Sequence, residues 1–117
     1  VLSFEEYLEL IKQPRTPRNQ WLYEAGLRIY VRVSHPLFRP TEVDFDLANM
    51  DADEPGQGAL TRFLDRYEPR FGFYVQNCLN ERLVLYLQRR GYKSFSLAGD
   101  YGIHLFRGRP ASSFQRP

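Results

Sequence analysis

The sequence predicts an α/β fold, and three observations carry that expectation. Between Glu42 and Tyr92 the chain reads strand, glycine turn, helix, strand, helix. The apolar spacing changes accordingly, from alternation over Glu42–Leu47 to helical intervals at Leu60, Phe63, Leu64 and Tyr67. Two helices carry their own start signals: Ser3 with Glu6 has capping-box spacing, and Asn80 stands before an acidic first turn.

A chain of 117 residues is expected to form one domain with one core. That length excludes a large multi-domain mechanism. Lysine and arginine total 16 against 14 acidic residues, and a net charge of +2 does not by itself imply a nucleic-acid or membrane partner. Only two of the 16 are lysine. Arginine matches phosphate and carboxylate bidentately, although the same bias arises from genome composition. The single cysteine, Cys78, excludes an internal disulfide and a Cys-based zinc site, and a reducing, cytoplasmic compartment fits that usage. No apolar run approaches the ~20 residues that span a bilayer. The N-terminus lacks the basic-then-apolar pattern of a signal peptide, so a soluble protein is expected.

Taken in order, Phe4, Tyr7, Leu8 and Ile11 give a short amphipathic helix that Pro14 prevents from continuing. Gln13 to Asn19, with two prolines, Arg15 and Arg18, reads as an extended surface connector. Leu27, Ile29, Val31 and Val33 alternate with Arg28, Tyr30 and Arg32 as a half-buried strand. Arginines and aromatics interleaved on a strand also build nucleic-acid platforms. The acidic strand that follows argues against this use. An antiparallel pairing with Arg32 opposite Glu42, Tyr30 opposite Asp44 and Arg28 opposite Asp46 would neutralise that face. Glu42, Asp44 and Asp46 share one face, where crowding raises the pKa of a carboxylate and can make it a base near neutral pH.

Asp53-Glu54-Pro55-Gly56-Gln57-Gly58 then turns the chain into the next helix. Such a strand-to-helix glycine turn aims backbone N–H groups and the positive helix end at one point, which suits a phosphate. The segment is not a P-loop, since no Lys-Ser or Lys-Thr follows, and it lacks the third glycine of a dinucleotide fingerprint. Phe71 to Val75 reads as a buried strand. Asn80 caps a helix that ends on Arg89, Arg90 and Gly91. Two further strands are expected around Ala98-Gly99-Asp100, with His104 satisfied by local hydrogen bonds rather than acting as a base. His35, in a proline-flanked loop, has a weaker claim to chemistry. Residues 1–106 form the expected domain, and 107–117 the expected flexible tail.

This order of elements resembles the acetyl-coenzyme A (acetyl-CoA) binding half of the GNAT superfamily of N-acetyltransferases. The likeness is carried by Glu42 through Gly58, by Asn80-Glu81-Arg82-Leu83 and by Arg90-Gly91-Tyr92, about half of the chain. It implies a mixed, mainly antiparallel sheet flanked by helices, with a parallel splay between the strands ending near Leu47 and Val75. It further implies that the backbone of Gly56, Gln57, Gly58, Ala59 and Leu60 cradles the pyrophosphate of acetyl-CoA, with Asn80 beside the cofactor. The family's turn begins with Gln or Arg where this chain has Asp53, and Pro55 replaces a position that commonly donates a hydrogen bond. Arg62 and Arg66 are near enough in sequence to compensate. By the same resemblance Glu42, with Asp44 and Asp46 as alternates, stands where a general base would, and an amine needs one because only its free form attacks a thioester. The family's tyrosine acid falls on Leu87; Tyr86 is adjacent but turned by about 100°, so protonation of the leaving thiolate falls to Tyr86, Tyr92 or water.

The implied activity is direct acetyl transfer to an amine, with an open groove suited to a protein or peptide terminus. A catalytically degenerate module that binds coenzyme A or a protein partner is the first alternative, and a basic nucleic-acid-binding module the second. Phe114 and an uncovered sheet edge leave room for a homodimer.

Overall fold

The computed structural model describes residues 1–33, 43–96 and 102–110. In chain order the elements are α1 (Phe4–Leu10), β1 (Gln20–Glu24), β2 (Leu27–Val33), β3 (Phe45–Ala52), α2 (Ala59–Tyr67), β4 (Phe73–Cys78), α3 (Glu81–Arg89), β5 (Lys93–Phe95) and β6 (Ile103–Arg107). The strands form one sheet in the order β1-β2-β3-β4-β6-β5. Its neighbours are antiparallel except β3 and β4, which are parallel and joined through α2. The expected α/β fold with a mixed, mainly antiparallel sheet is therefore present. His35, Glu42, the Ala98-Gly99-Asp100 turn and Phe114 lie outside the described residues.

Local signals start the helices. Ser3 and Glu6 make both hydrogen bonds of the capping box, and the Asn80 side chain accepts from the Leu83 N–H at 3.2 Å. Between β1 and β2, Ala25 and Gly26 both adopt positive φ, 49° and 87°, which gives the two-residue hairpin turn whose twist matches paired strands. β1 itself is not announced by residue pattern: only Leu22 of its five residues is buried. Its edge is met by the N-terminus, where the Tyr23 N–H donates to the Leu2 carbonyl at 2.8 Å.

The register of β2 on β3 differs from expectation. Arg32 lies opposite Asp46, Tyr30 opposite Asn49 and Arg28 opposite Asp51. The apolar pattern fits either alignment, because Leu27, Ile29 and Val31 find apolar partners in both. Both alignments engage all seven residues of β2, and the observed one sets them on a β3 that runs to Ala52, with an irregularity between Tyr30 and Val31. Charge pairing across the strands survives with different acids, Arg32–Asp46 at 3.8 Å and Arg28–Asp51 at 3.5 Å.

The core is aromatic and centred on Phe4. Its ring lies 4.5–6.2 Å from Tyr67, Phe63, Phe45, Phe71 and Phe73, and α1, α2, α3 and the sheet contribute to one hydrophobic cluster. A buried carboxylate, Glu68, ties the far ends of the helices together. It accepts from Arg90 at 2.6 Å and from Arg107 at 2.7 Å, and Arg90 also donates to Asp65 at 2.7 Å. Arg107 thus belongs to β6, where it pairs with Phe73, and Arg109 is held by Asp44. The placement of 107 at the start of a tail is corrected accordingly: two ion pairs anchor the chain beyond Phe106.

Candidate functional site

β3 and β4 pair at only two positions, Phe45 with Phe73 and Asp46 with Tyr74. Both strands continue, but no longer paired with each other. The register of β3 on β2 slips between Val31 and Tyr30, where Ala48 is the extra residue, and that of β4 on β6 slips between Val75 and Cys78. An extra residue bends and twists its strand. With one irregularity on each strand, just past the last shared pair, the two part and leave a cleft of about 320 Å³. Leu47, Ala48, Asn49 and Met50 form one wall, Val75, Cys78 and Leu79 the other, and Asn80 and Leu83 of the α3 start contribute the rest.

The glycine turn leads into α2 without a side-chain cap. Gly58, the N-cap, has φ 80° and ψ 16°, and Gly56 has φ 83°. The first helical bond runs from the Arg62 N–H to the Gly58 carbonyl at 3.0 Å, so the N–H groups of Ala59, Leu60 and Thr61 have no acceptor within the helix. Thr61 meets Tyr86 of α3 through a hydroxyl–hydroxyl hydrogen bond, and Tyr86 lies about one turn along α3 from the cleft residue Leu83. A smaller cavity of about 250 Å³ lies on the hairpin side of the turn, lined by residues including Tyr23, Asp53, Gln57 and Arg62.

Charge around this turn is arranged in a way that the sequence did not disclose. Asp53 accepts from the Tyr23 hydroxyl, a bond that raises the Tyr23 pKa, and its N–H donates to the Gly26 carbonyl at 2.9 Å. Arg62 bridges the turn, donating to the Gln57 carbonyl at 2.8 Å and the Ala25 carbonyl at 3.4 Å. Arg66 points elsewhere, to Glu5 and Glu24 at 3.5 Å each. Of the two arginines expected to compensate for Asp53, only Arg62 stands at the turn.

Of the residues expected to do chemistry, Asp44 and Tyr86 are among those described, and each is held by partners of its own. Asp44 precedes β3 at the closed end of the β3/β4 pair, where it accepts from the Gly72 N–H at 2.8 Å and from Arg109. Those bonds engage both of its oxygens. Tyr86 turns to α2, bonded to Thr61 and within 3.5 Å of the Arg90 guanidinium, as its 100° offset from Leu87 requires. Leu87 is buried in the core. Cys78 lines the cleft as an apolar wall: its thiol is pushed up by burial and approaches the Asn80 carbonyl at 3.7 Å. His104 is buried, with Nδ1 2.8 Å from the Tyr74 hydroxyl and its ring stacked on Phe95 at 5.2 Å, which is the local satisfaction expected of it.

Among the described residues no cluster of three potential metal ligands occurs, and no helix is long and apolar enough to cross a membrane. In comparisons with known proteins the chain matches no family model, no curated protein and no solved structure.

Proposed function

We propose that this chain binds acetyl-CoA in the cleft between β3 and β4 and transfers its acetyl group directly to an amine. The observation that carries the reading is the parallel β3-α2-β4 unit whose strands separate after two pairs, next to a helix start that lacks a side-chain cap. The edge of β3 facing the cleft offers backbone groups to an extended ligand. The Ala59, Leu60 and Thr61 N–H groups, with Arg62 alongside, suit a pyrophosphate.

The thioester supplies an activated carbonyl carbon. In the transfer a C–N bond forms to the amine, the C–S bond breaks, the thiol leaves as thiolate, and the amine nitrogen gives up a proton. Glu42 is the proposed base, because Asp44 is bound to Arg109 and Gly72. Tyr86 is likewise engaged and Tyr92 is buried in the core, which leaves water to protonate the thiolate. These two engagements favour a second reading, a thioester-binding module that works through protein contacts without turnover.

Calorimetric titration with acetyl-CoA tests the first step. Gly56→Ala adds only a methyl in a left-handed conformation, with open space around it, whereas Gly56→Glu adds charge at the same backbone cost. Micromolar binding that tolerates the first and is abolished by the second supports the cradle. Equal loss in both would mean that turn geometry, not the phosphate field, is at stake. Absence of binding by the unaltered chain would sink the reading. Thiol release with peptide amines, removed by Glu42→Gln, separates the transferase from the module.

A further inference from the structure

We infer that the site accepts, beyond acetyl, thioester donors with longer acyl chains, which occupy a second, apolar cavity between β4, α3 and the start of β6. The inference rests on the reading of the β3/β4 cleft as the thioester site. This cavity has a volume of about 380 Å³ and is lined by Cys78, Leu79, Glu81, Val84, Leu85 and Ile103. Cys78 and Leu79 also wall the cleft, so the two spaces adjoin at the end of β4.

Its chemistry selects the occupant. Among the described residues that line it, five of six are apolar or behave so, and Leu79 and Leu85 are 73% and 52% exposed. Two leucines left in water beside a cavity gain from an apolar ligand that covers both. The one charged group among these described residues, Glu81, lies in the first turn of α3, where Asn80 already caps the helix. Its negative charge opposes a free carboxylate, whereas an acyl chain in thioester linkage is neutral. A two-carbon acetyl group leaves most of this volume unfilled. An alkyl chain running from the cleft past Cys78 and Leu79 fills it and needs no hydrogen-bond partner there.

The test is calorimetric titration of the full chain with coenzyme A and with its acetyl, butyryl, hexanoyl and octanoyl thioesters, repeated on Leu85→Glu. Affinity is expected to rise with chain length, by up to roughly fourfold per added methylene until the cavity is full. In Leu85→Glu the dependence on length should flatten. Leu85 is half-exposed on a helix surface, so the variant is expected to fold, and the series on the unaltered chain decides even if it does not. Affinities that are equal for all lengths, or fall with length, would overturn the inference while leaving the thioester cleft standing. That outcome would assign the cavity to the acceptor or to a second copy of the chain. No binding of coenzyme A or of any thioester would overturn both.

Discussion

Tyr7 is fully buried, and its hydroxyl donates to the Arg18 carbonyl at 2.6 Å. Burial pushes its phenol up from 10.0 to about 12, and burial is also the first cause of the raised pKa of Tyr67 and Tyr92. A raised pKa means that the folded state holds the proton more tightly than the unfolded state does. The stability linked to Tyr7 is therefore fully present below pH 10 and is lost as pH rises from there through about 12. Urea midpoints should stay flat up to about pH 10 and then fall, with the phenolate absorbance of Tyr7, Tyr67 and Tyr92 appearing only as the chain unfolds. Tyr7→Phe should lower stability near neutral pH by about 1 kcal/mol, the worth of one hydrogen bond, and soften the alkaline decline. Native-state ionisation of the buried tyrosines near pH 10 would contradict this account. At this scale, legibility in the sequence follows the separation of the partners. The Ser3–Glu6 and Asn80 caps are readable because each partner lies three residues away. Asp44 and Tyr86 are not, since Arg109 and Thr61 reach them from 65 and 25 residues away. A residue type chosen for its chemistry can thus be consumed by a partner that no local pattern reveals.

At the scale of elements, the helices and the antiparallel partnership of β2 with β3 were legible, whereas strand register and β1 were not. An amphipathic helix states its buried face in its own spacing, as Phe63, Leu64 and Tyr67 do in α2. A strand states only that it has two faces, and alternation does not announce an irregularity such as the slip at Ala48, which shifts the register. The same logic hid β1, whose assignment depends on the turn that follows it. That turn is open to improvement. Ala25 holds φ 49° without the side-chain hydrogen bonding that lets asparagine tolerate this region, and Asn-Gly is the preferred pair for a two-residue hairpin of this hand. Ala25→Asn should raise stability by about 0.5–1 kcal/mol, read as a higher urea midpoint with unchanged slope. Gly26→Ala should lower it by about 1–2 kcal/mol, because φ 87° is then imposed on a side chain. If both variants proved neutral, the hairpin would already be frayed in solution and β1 would contribute little to the sheet.

For the molecule as a whole, the cleft is an interruption in an otherwise continuous sheet. Four of the five strand partnerships are antiparallel ladders, whereas the central parallel one closes at two pairs and then stops. The Phe4-centred aromatic cluster supports the closed end, since Phe45 and Phe73 are both its members and the first shared pair. Beyond that point the strands are held by β2, β6 and the helices rather than by each other. Such a seam costs backbone pairing, and a ligand that bridges it supplies what the two strands do not give each other. A thioester bound only to the folded state at one hundred times its dissociation constant should add about 2.7 kcal/mol of stability. For a domain of this size that corresponds to a rise in melting temperature of roughly 10 °C. The gain should be local as well. Hydrogen exchange should slow at the β3 amides between Ala48 and Met50 that point away from β2, and at Ala59, Leu60 and Thr61, with little change along β1. Stabilisation accompanied by protection elsewhere would move the binding site off this seam. A melting temperature that does not respond to millimolar acetyl-CoA or its longer homologues would leave the gap between β3 and β4 as a feature of packing alone.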